Sequence, residues 1–392
     1  MRPLTTLPLR SGWLLALATP FACHAINGAE PGGHGVDNAA MGGTSIALPL
    51  DAIAAANNPA GLSRVPDSVA LDLQVFHGRS SADYVLPGNR LSNRQTVAAP
   101  EGGVVWHWTP AFTFGVSLAS GGAGADYRQP ALPVPGAANA KSSLKIAELI
   151  PAVAWQPADG LSIGAGLTLG HEQFEAEGVI VPAPVPGGLL PLPSHGTKSA
   201  TGLGYRIGAL WDPTPALSLG VNLKSRTHMG ALSGYDQDLL AFSGGHLDLP
   251  SQAGIGLAWR ATSRATLSAD VLTIRWHELG VMQDPNGFRW RNQVIARVGG
   301  SWAVDDAWTL RAGYSRSNGQ IDAAYATPNL LVPSINRQAV TAGVSWHVTP
   351  SSEATLGYEL DPSTTLHGTG ASAGTTLRSN VQMFLLGWQT RF

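Results

Sequence analysis

From Asp67 onward the chain repeats one pattern, in which large apolar side chains alternate with small or polar ones over segments of roughly 9–13 residues. Val69, Leu71, Leu73 and Val75 share one face, with Asp72 and Gln74 on the other. Phe112, Phe114, Val116 and Leu118 interleave with Thr113, Gly115 and Ser117. Leu203-Tyr205-Ile207-Ala209-Trp211 and Leu217-Leu219-Val221-Leu223 repeat the arrangement, as do Ile255-Leu257-Trp259, Leu310-Ala312-Tyr314 and Val340-Ala342-Val344-Trp346. A period of two predicts strands with two different environments, about fourteen of them. Their connections alternate in length. Short ones such as Thr109-Pro110, Asp212-Pro213-Thr214-Pro215, Asp305-Asp306 and Thr349-Pro350-Ser351-Ser352 carry turn chemistry. Long ones are expected at 78–100, 120–141, 176–199, 229–248, 278–292, 319–336 and 361–377. Long loops on one side and short turns on the other predict an all-β transmembrane antiparallel barrel whose apolar face meets lipid, because hydrocarbon tolerates only a sheet without edges.

Composition supports this. Only 13% of the 392 residues are charged, against roughly a quarter in ordinary soluble domains, and the chain holds 47 Gly and 28 Pro. No run of about eighteen apolar residues predicts a spanning helix. A formal charge of −2 with dispersed cations gives no field for nucleic acid. Trp106, Trp108, Trp155, Trp211, Trp259, Trp302, Trp308, Trp346 and Trp388 fall near strand ends, which predicts aromatic girdles at both membrane interfaces. Phe384, Leu386, Trp388, Thr390 and Phe392 form an alternating last strand of the kind that outer-membrane assembly machinery reads.

The first 25 residues read as a signal peptide, with Arg2 and Arg10 before an apolar stretch and cleavage after Ala25. The only cysteine, Cys23, lies in it, so no thiol, disulfide or Cys-ligated metal is expected in the mature chain. Residues 26–66 do not alternate. They are rich in Gly and Ala, too short for a core of their own, and expected to plug the lumen of a barrel spanning 67–392.

The Gly-rich start, Asn58-Pro59-Ala60-Gly61-Leu62 and the strand that follows resemble the hatch of the FadL family of outer-membrane transporters for hydrophobic compounds. Ile150-Pro151-Ala152, Leu249-Pro250 before Gly254-Ile255-Gly256, and Asp305-Asp306-Ala307-Trp308-Thr309-Leu310-Arg311-Ala312-Gly313-Tyr314 extend the resemblance along the chain. It implies a fourteen-stranded barrel plugged by the hatch and passive diffusion with lateral exit into the bilayer. Asn58 and Pro59 would lie beside the interior ligand. A kink in the third strand, marked here by Ser120, Gly121, Gly122 and Gly124, would open a hole in the wall. The two apolar loops carrying Val179, Ile180, Leu189 and Leu190, then Leu239 and Phe242, correspond to the initial capture site. Arg289, Arg291 and Arg337 are head-group candidates, although the family's basic residue in the fifth long loop has no counterpart at its position. Arg206, Lys224, Arg260, Arg297, Arg311 and Arg337 are expected to face inward, some of them paired with Asp72, Asp270, Glu353 or Glu359.

Long-chain fatty acids are the first substrate the resemblance implies; burying a sixteen-carbon chain yields on the order of 10 kcal/mol before ordering costs, so weak head-group contacts would suffice. Monoaromatic or alkane hydrocarbons come second, and a structural or adhesion barrel without transport is the alternative of another class. Gly160-Leu161-Ser162-Ile163-Gly164 matches the G-x-S-x-G pattern, but the alternation continues through Leu167 and Leu169, so the serine is expected within a strand and no enzyme is predicted. His171-Glu172 and His277-Glu278 lack a second histidine at helical spacing, so neither metal nor cofactor is expected. The location implied is the bacterial outer membrane, with short turns and both termini periplasmic.

Overall fold

The computed structural model describes residues 28–182 and 188–392; the signal-peptide reading of residues 1–25 lies outside them. Fourteen long strands follow one another: β1 (Ser68–Asp83), β2 (Arg90–Thr109), β3 (Phe112–Asp126), β4 (Lys141–Ala158), β5 (Leu161–Glu177), β6 (Lys198–Thr214), β7 (Leu217–Lys224), β8 (Gln252–Arg260), β9 (Ala265–Ile274), β10 (Gln293–Ala303), β11 (Trp308–Ser317), β12 (Gln338–Thr349), β13 (Ser352–His367) and β14 (Thr376–Arg391). Each pairs antiparallel with its neighbour, and β1 pairs with β14 from Ser68↔Arg391 to Asp83↔Thr376, so the sheet closes on itself. Closure leaves no edge, which is what a sheet with an apolar outer face requires. That outer face carries the predicted alternation: Leu71 is 65% exposed and Leu203 64%, while Ala70 and Gly202 turn inward.

Three expectations need correction. The segments 78–100 and 361–377 are mostly strand, because β1 pairs with β2 as far as Asp83↔Arg90 and β13 with β14 as far as His367↔Thr376. Likewise the loop expected from 120 begins only after Asp126. The outward residues there are polar, so the contrast that marks a strand in hydrocarbon is missing. The third correction concerns the tryptophans. All nine named above border the short turns or the chain's end, so they form one belt, at the short-turn end, and not two.

Residues 28–66 fill the barrel. They contain two single-turn helices, Val36–Ala39 and Ala54–Asn57, and a 3-10 segment, Pro59–Arg64. Wall carboxylates bind hatch amides: Val36 donates to Asp72 (2.6 Å), Gly35 to Glu101 (2.9 Å), and Ser45 and Ile46 to Asp270 (2.7 and 3.1 Å). Buried ion pairs add to these. Arg311 reaches Asp37 (3.3 Å) and Glu353 (3.2 Å), while Lys224 joins Glu30 (2.8 Å) to Glu148 (3.1 Å), which also holds Arg206 (2.5 Å). Arg297 donates to the Gly43 carbonyl (2.9 Å), so these four cations serve the hatch and wall. Arg260 is exposed at the short-turn end, on the Pro215 carbonyl, and not inward as expected.

The abundance of small residues on the inner face follows from this fit. A Cβ at Gly103 would run into the Ala52 carbonyl, and one at Gly313 into the Gly42 amide and Met41 carbonyl. We therefore expect Gly313→Leu to be destabilising by more than about 3 kcal/mol of hatch docking, through overpacking against backbone that cannot give way. Faster cleavage of residues 28–66 by added protease checks this; unchanged resistance contradicts it.

Candidate ligand cavity and the seam beside it

An apolar cavity lies under the long-loop end. Ala123 of β3, Ser142 and Leu144 of β4 and Phe174 of β5 form its wall. Leu240, Leu247 and Leu249 come from the loop 225–251, and Trp276, Leu279, Met282, Phe288 and Trp290 from the loop 275–292. Ala29 of the hatch completes the lining. The indoles of Trp276 and Trp290 meet edge to face, 4.9 Å apart at 81°. Gly28 packs on both rings at φ +79°, a place where any Cβ would collide with them. Trp290 Nε1 donates to Asn329 Oδ1 (2.6 Å), whereas the buried Trp276 Nε1 has no partner among the described residues.

Among the described residues, no lysine or arginine lines the cavity. Its one carboxylate, Asp248, accepts from the Met229 amide (2.9 Å), and its one hydroxyl, Ser142, donates to the Leu331 carbonyl (2.6 Å). The free space is about 50 Å³, below the roughly 150 Å³ of an engineered apolar cavity that takes up benzene. Even a single ring must therefore displace something. Above the cavity two loops pack together: Tyr235 meets Phe174 (4.9 Å) and His195 (5.0 Å), and its hydroxyl donates to the Gly196 carbonyl (3.0 Å). Burial holds the Tyr235 phenol above its ordinary pKa, so it remains a neutral donor.

Next to the cavity the wall parts. Strands β2 and β3 pair from Thr109↔Phe112 only as far as Gly102↔Leu118, and beyond this each keeps its other neighbour. Hydrogen bonds cross or flank the seam, among them that of the Ser120 amide to Glu101 Oε1 (3.5 Å). Ser120 Oγ donates to the Pro100 carbonyl (2.5 Å), the Asp126 amide donates to Asn93 Oδ1 (3.0 Å), and between them the Gly122 amide donates to the Ala29 carbonyl (2.8 Å). Gly122 sits at φ +152° and a Cβ at Gly121 would strike the Ala29 carbonyl, so glycine is needed where the hatch closes the seam. Ala29 thus belongs to both the cavity lining and the seam.

Residues 14–383 match the family model for outer membrane protein transport proteins (OMPP1/FadL/TodX). The chain belongs to this family. The FadL/TodX proteins are outer-membrane transport channels for hydrophobic compounds rather than enzymes. Solved structures agree in fold. The Pseudomonas putida toluene transporter TodX covers 92% of this chain and 99% of its own, with a TM-score of 0.72 at 19% identity. A Pseudomonas aeruginosa FadL homologue covers 95% and 99%, with 0.68 at 18%. The Ralstonia pickettii toluene transporter TbuX covers 92% and 99%, with 0.68 at 15%. No curated protein sequence matches the chain.

The structure distributes the expected FadL/TodX site residues among several places. Ser120, Gly121, Gly122 and Gly124 lie on β3 along the seam. Asn58 does not line the cavity: its Oδ1 caps the 3-10 segment through the Ala60 amide (3.1 Å) and its Nδ2 donates to Ile46 (2.7 Å), beside Gly208 of the wall. Pro59 follows it in the same turn. Val179, Ile180 and Leu239 are half-buried against the core, while Leu189, Leu190 and Phe242 stay exposed at 46%, 46% and 58%. Arg289 stacks on Tyr325 (5.7 Å), Arg291 pairs with Asp322 (3.3 Å) and Arg337 is exposed; none of the three lines the cavity. Ser162 is buried within β5, donating to the Ala60 carbonyl (2.9 Å) and accepting from Ser63 (2.7 Å), so it serves hatch docking. Sequence reading missed Ala29, Ala123, Trp276, Met282 and Trp290. The available signal was that Trp276 and Trp290 stand outside the strand-end pattern.

Proposed function

We propose that the protein conducts compact, neutral hydrocarbons, monoaromatic compounds foremost, passively across the outer membrane. Its long loops face the exterior, and its short turns and termini the periplasm. Exposed Leu189, Leu190 and Phe242 offer a first apolar contact. The ligand then enters the cavity, displaces the Ala29 segment, breaks the Gly122–Ala29 hydrogen bond and leaves sideways between β2 and β3. The observation that carries this reading is a small cavity of carbon and indole, without a cation, walled by the residue that closes the seam. A fatty acid would bury a carboxylate there unpaired, and an extended acyl chain exceeds the available space several-fold. Several proteins of similar structure bear the name of toluene transporters; the cavity's chemistry brings that substrate class to this chain.

Calorimetry on the detergent-solubilised protein tests it. Burying roughly 200 Å² of one ring at about 25 cal/mol per Å² yields about 5 kcal/mol, so toluene is expected to bind with a dissociation constant of roughly 10⁻⁴–10⁻³ M. Ala123→Phe, which puts a ring into the space, should abolish that heat while the barrel stays folded. Oleate binding more than tenfold tighter than toluene, or toluene binding unaltered in Ala123→Phe, contradicts the reading.

A further inference from the structure

The outer face of the wall is asymmetric. Tryptophans ring its short-turn end, and at the other end the outward residues turn polar within one row on three adjacent strands. On β1, Val69, Leu71, Leu73 and Val75 give way to His77, Arg79 and Ser81; on β14, Phe384 gives way to Gln382, Asn380 and Arg378; β2 carries Thr96, Arg94 and Ser92 there. The register sets Arg79 directly opposite Arg94 on one side and Asn380 on the other, and Ser81 opposite Arg378. Like charges facing each other across a ladder are unfavourable unless an anion lies between them. Asp83 pairs with Arg378 (2.9 Å) and Arg90 (3.2 Å). Arg79, Arg94 and Arg128 have no carboxylate at ion-pair distance among the described residues; Arg79 donates only to His77 (3.4 Å). Arg128 overhangs the same surface from a left-handed backbone position (φ 56°), held by its amide's hydrogen bond to Asp126 (2.9 Å). Between them runs a groove of about 750 Å³ lined by Arg79, Arg94, Arg128 and Arg378 and by one carboxylate, Asp126, which accepts from the Arg128 amide.

We propose that this groove binds the phosphate groups of the phosphorylated glycolipid in the outer leaflet. Guanidinium forks match phosphate oxygens two at a time, and one phosphate between Arg79 and Arg94 turns a repulsive pair into a bridged one. The apolar row immediately below, Val75 and Phe384, takes the acyl chains of the same molecule, which a free phosphate lacks. The inference rests on the orientation proposed above, because only there does the polar end meet that leaflet.

Native mass spectrometry of the full-length mature protein, released from detergent with bisphosphorylated lipid A, tests the site. The wild type is expected to retain a lipid A adduct, to bind phosphate-stripped lipid A at least tenfold more weakly, and to resist displacement by millimolar inorganic phosphate. Arg79→Ser/Arg94→Ser should lose at least tenfold in affinity, and Arg79→Lys/Arg94→Lys should fall between. Equal binding of the stripped lipid by the wild type overturns the proposal whether or not any variant folds, and ready displacement by inorganic phosphate marks a free-anion site and overturns it as well. Protease access to the long loops in whole cells tests the orientation separately, and toluene binding is read independently of both.

Discussion

Arg311→Met will unseat the hatch and leave the barrel standing. The Arg311 guanidinium neutralises Asp37 of the hatch and Glu353 of the wall in one buried cluster, where Asp37 also accepts from Thr355 (2.7 Å). Methionine keeps most of the volume but leaves two carboxylates facing each other out of water, a loss of about 3–5 kcal/mol. The strand ladder does not depend on this charge, so the cost falls on hatch docking, which loses its Asp37 anchor and keeps Asp72, Glu101, Asp270, Lys224 and Arg297. A loss of about 3 kcal/mol shifts a two-state equilibrium more than a hundredfold. Planar-bilayer recordings should show frequent large ion-conducting openings that the wild type lacks, and protease should reach residues 28–66. Wild-type conductance together with wild-type resistance would show that the cluster is not what holds the plug. A barrel that takes up hydrocarbon equally well without residues 28–66 would likewise remove the hatch from the transport pathway.

How far the sequence could be read depended on where each face sits. In hydrocarbon the contrast between outward Leu71 or Leu203 and inward small residues is strong, and about fourteen strands could be counted there. Above the hydrocarbon, outward His77, Arg79 and Arg94 on β1 and β2 are as polar as any loop, so genuine strands read as a connection. The hatch was legible from its lack of alternation, and its fit against Gly103 and Gly313 explains the glycine content. The cavity was much less legible. Ala123 and Ala29 matter there because they are small and near each other, and adjacency across the lumen leaves no trace in local pattern. Asn58 and the arginines drew attention by their chemistry, yet Asn58 caps a turn while Arg206, Arg297 and Arg311 hold the hatch. The polar side chains named above serve docking, and the ligand space lies apart from them among carbon atoms.

The most direct measurement concerns the contact shared by cavity and seam. Ala29→Cys combined with Gly121→Cys places two thiols where a Gly121 Cβ would touch the Ala29 carbonyl, so a disulfide or the shortest thiol-specific linker joins hatch to β3. Cys23, in the segment expected to be cleaved, does not interfere. With the link formed, toluene uptake into cells or proteoliposomes should fall at least tenfold below that of the same double-cysteine protein in its reduced state, and return on reduction. Uptake at the wild-type rate through the cross-linked protein would mean that the ligand leaves by another route, and the account of a hatch-gated seam would be wrong.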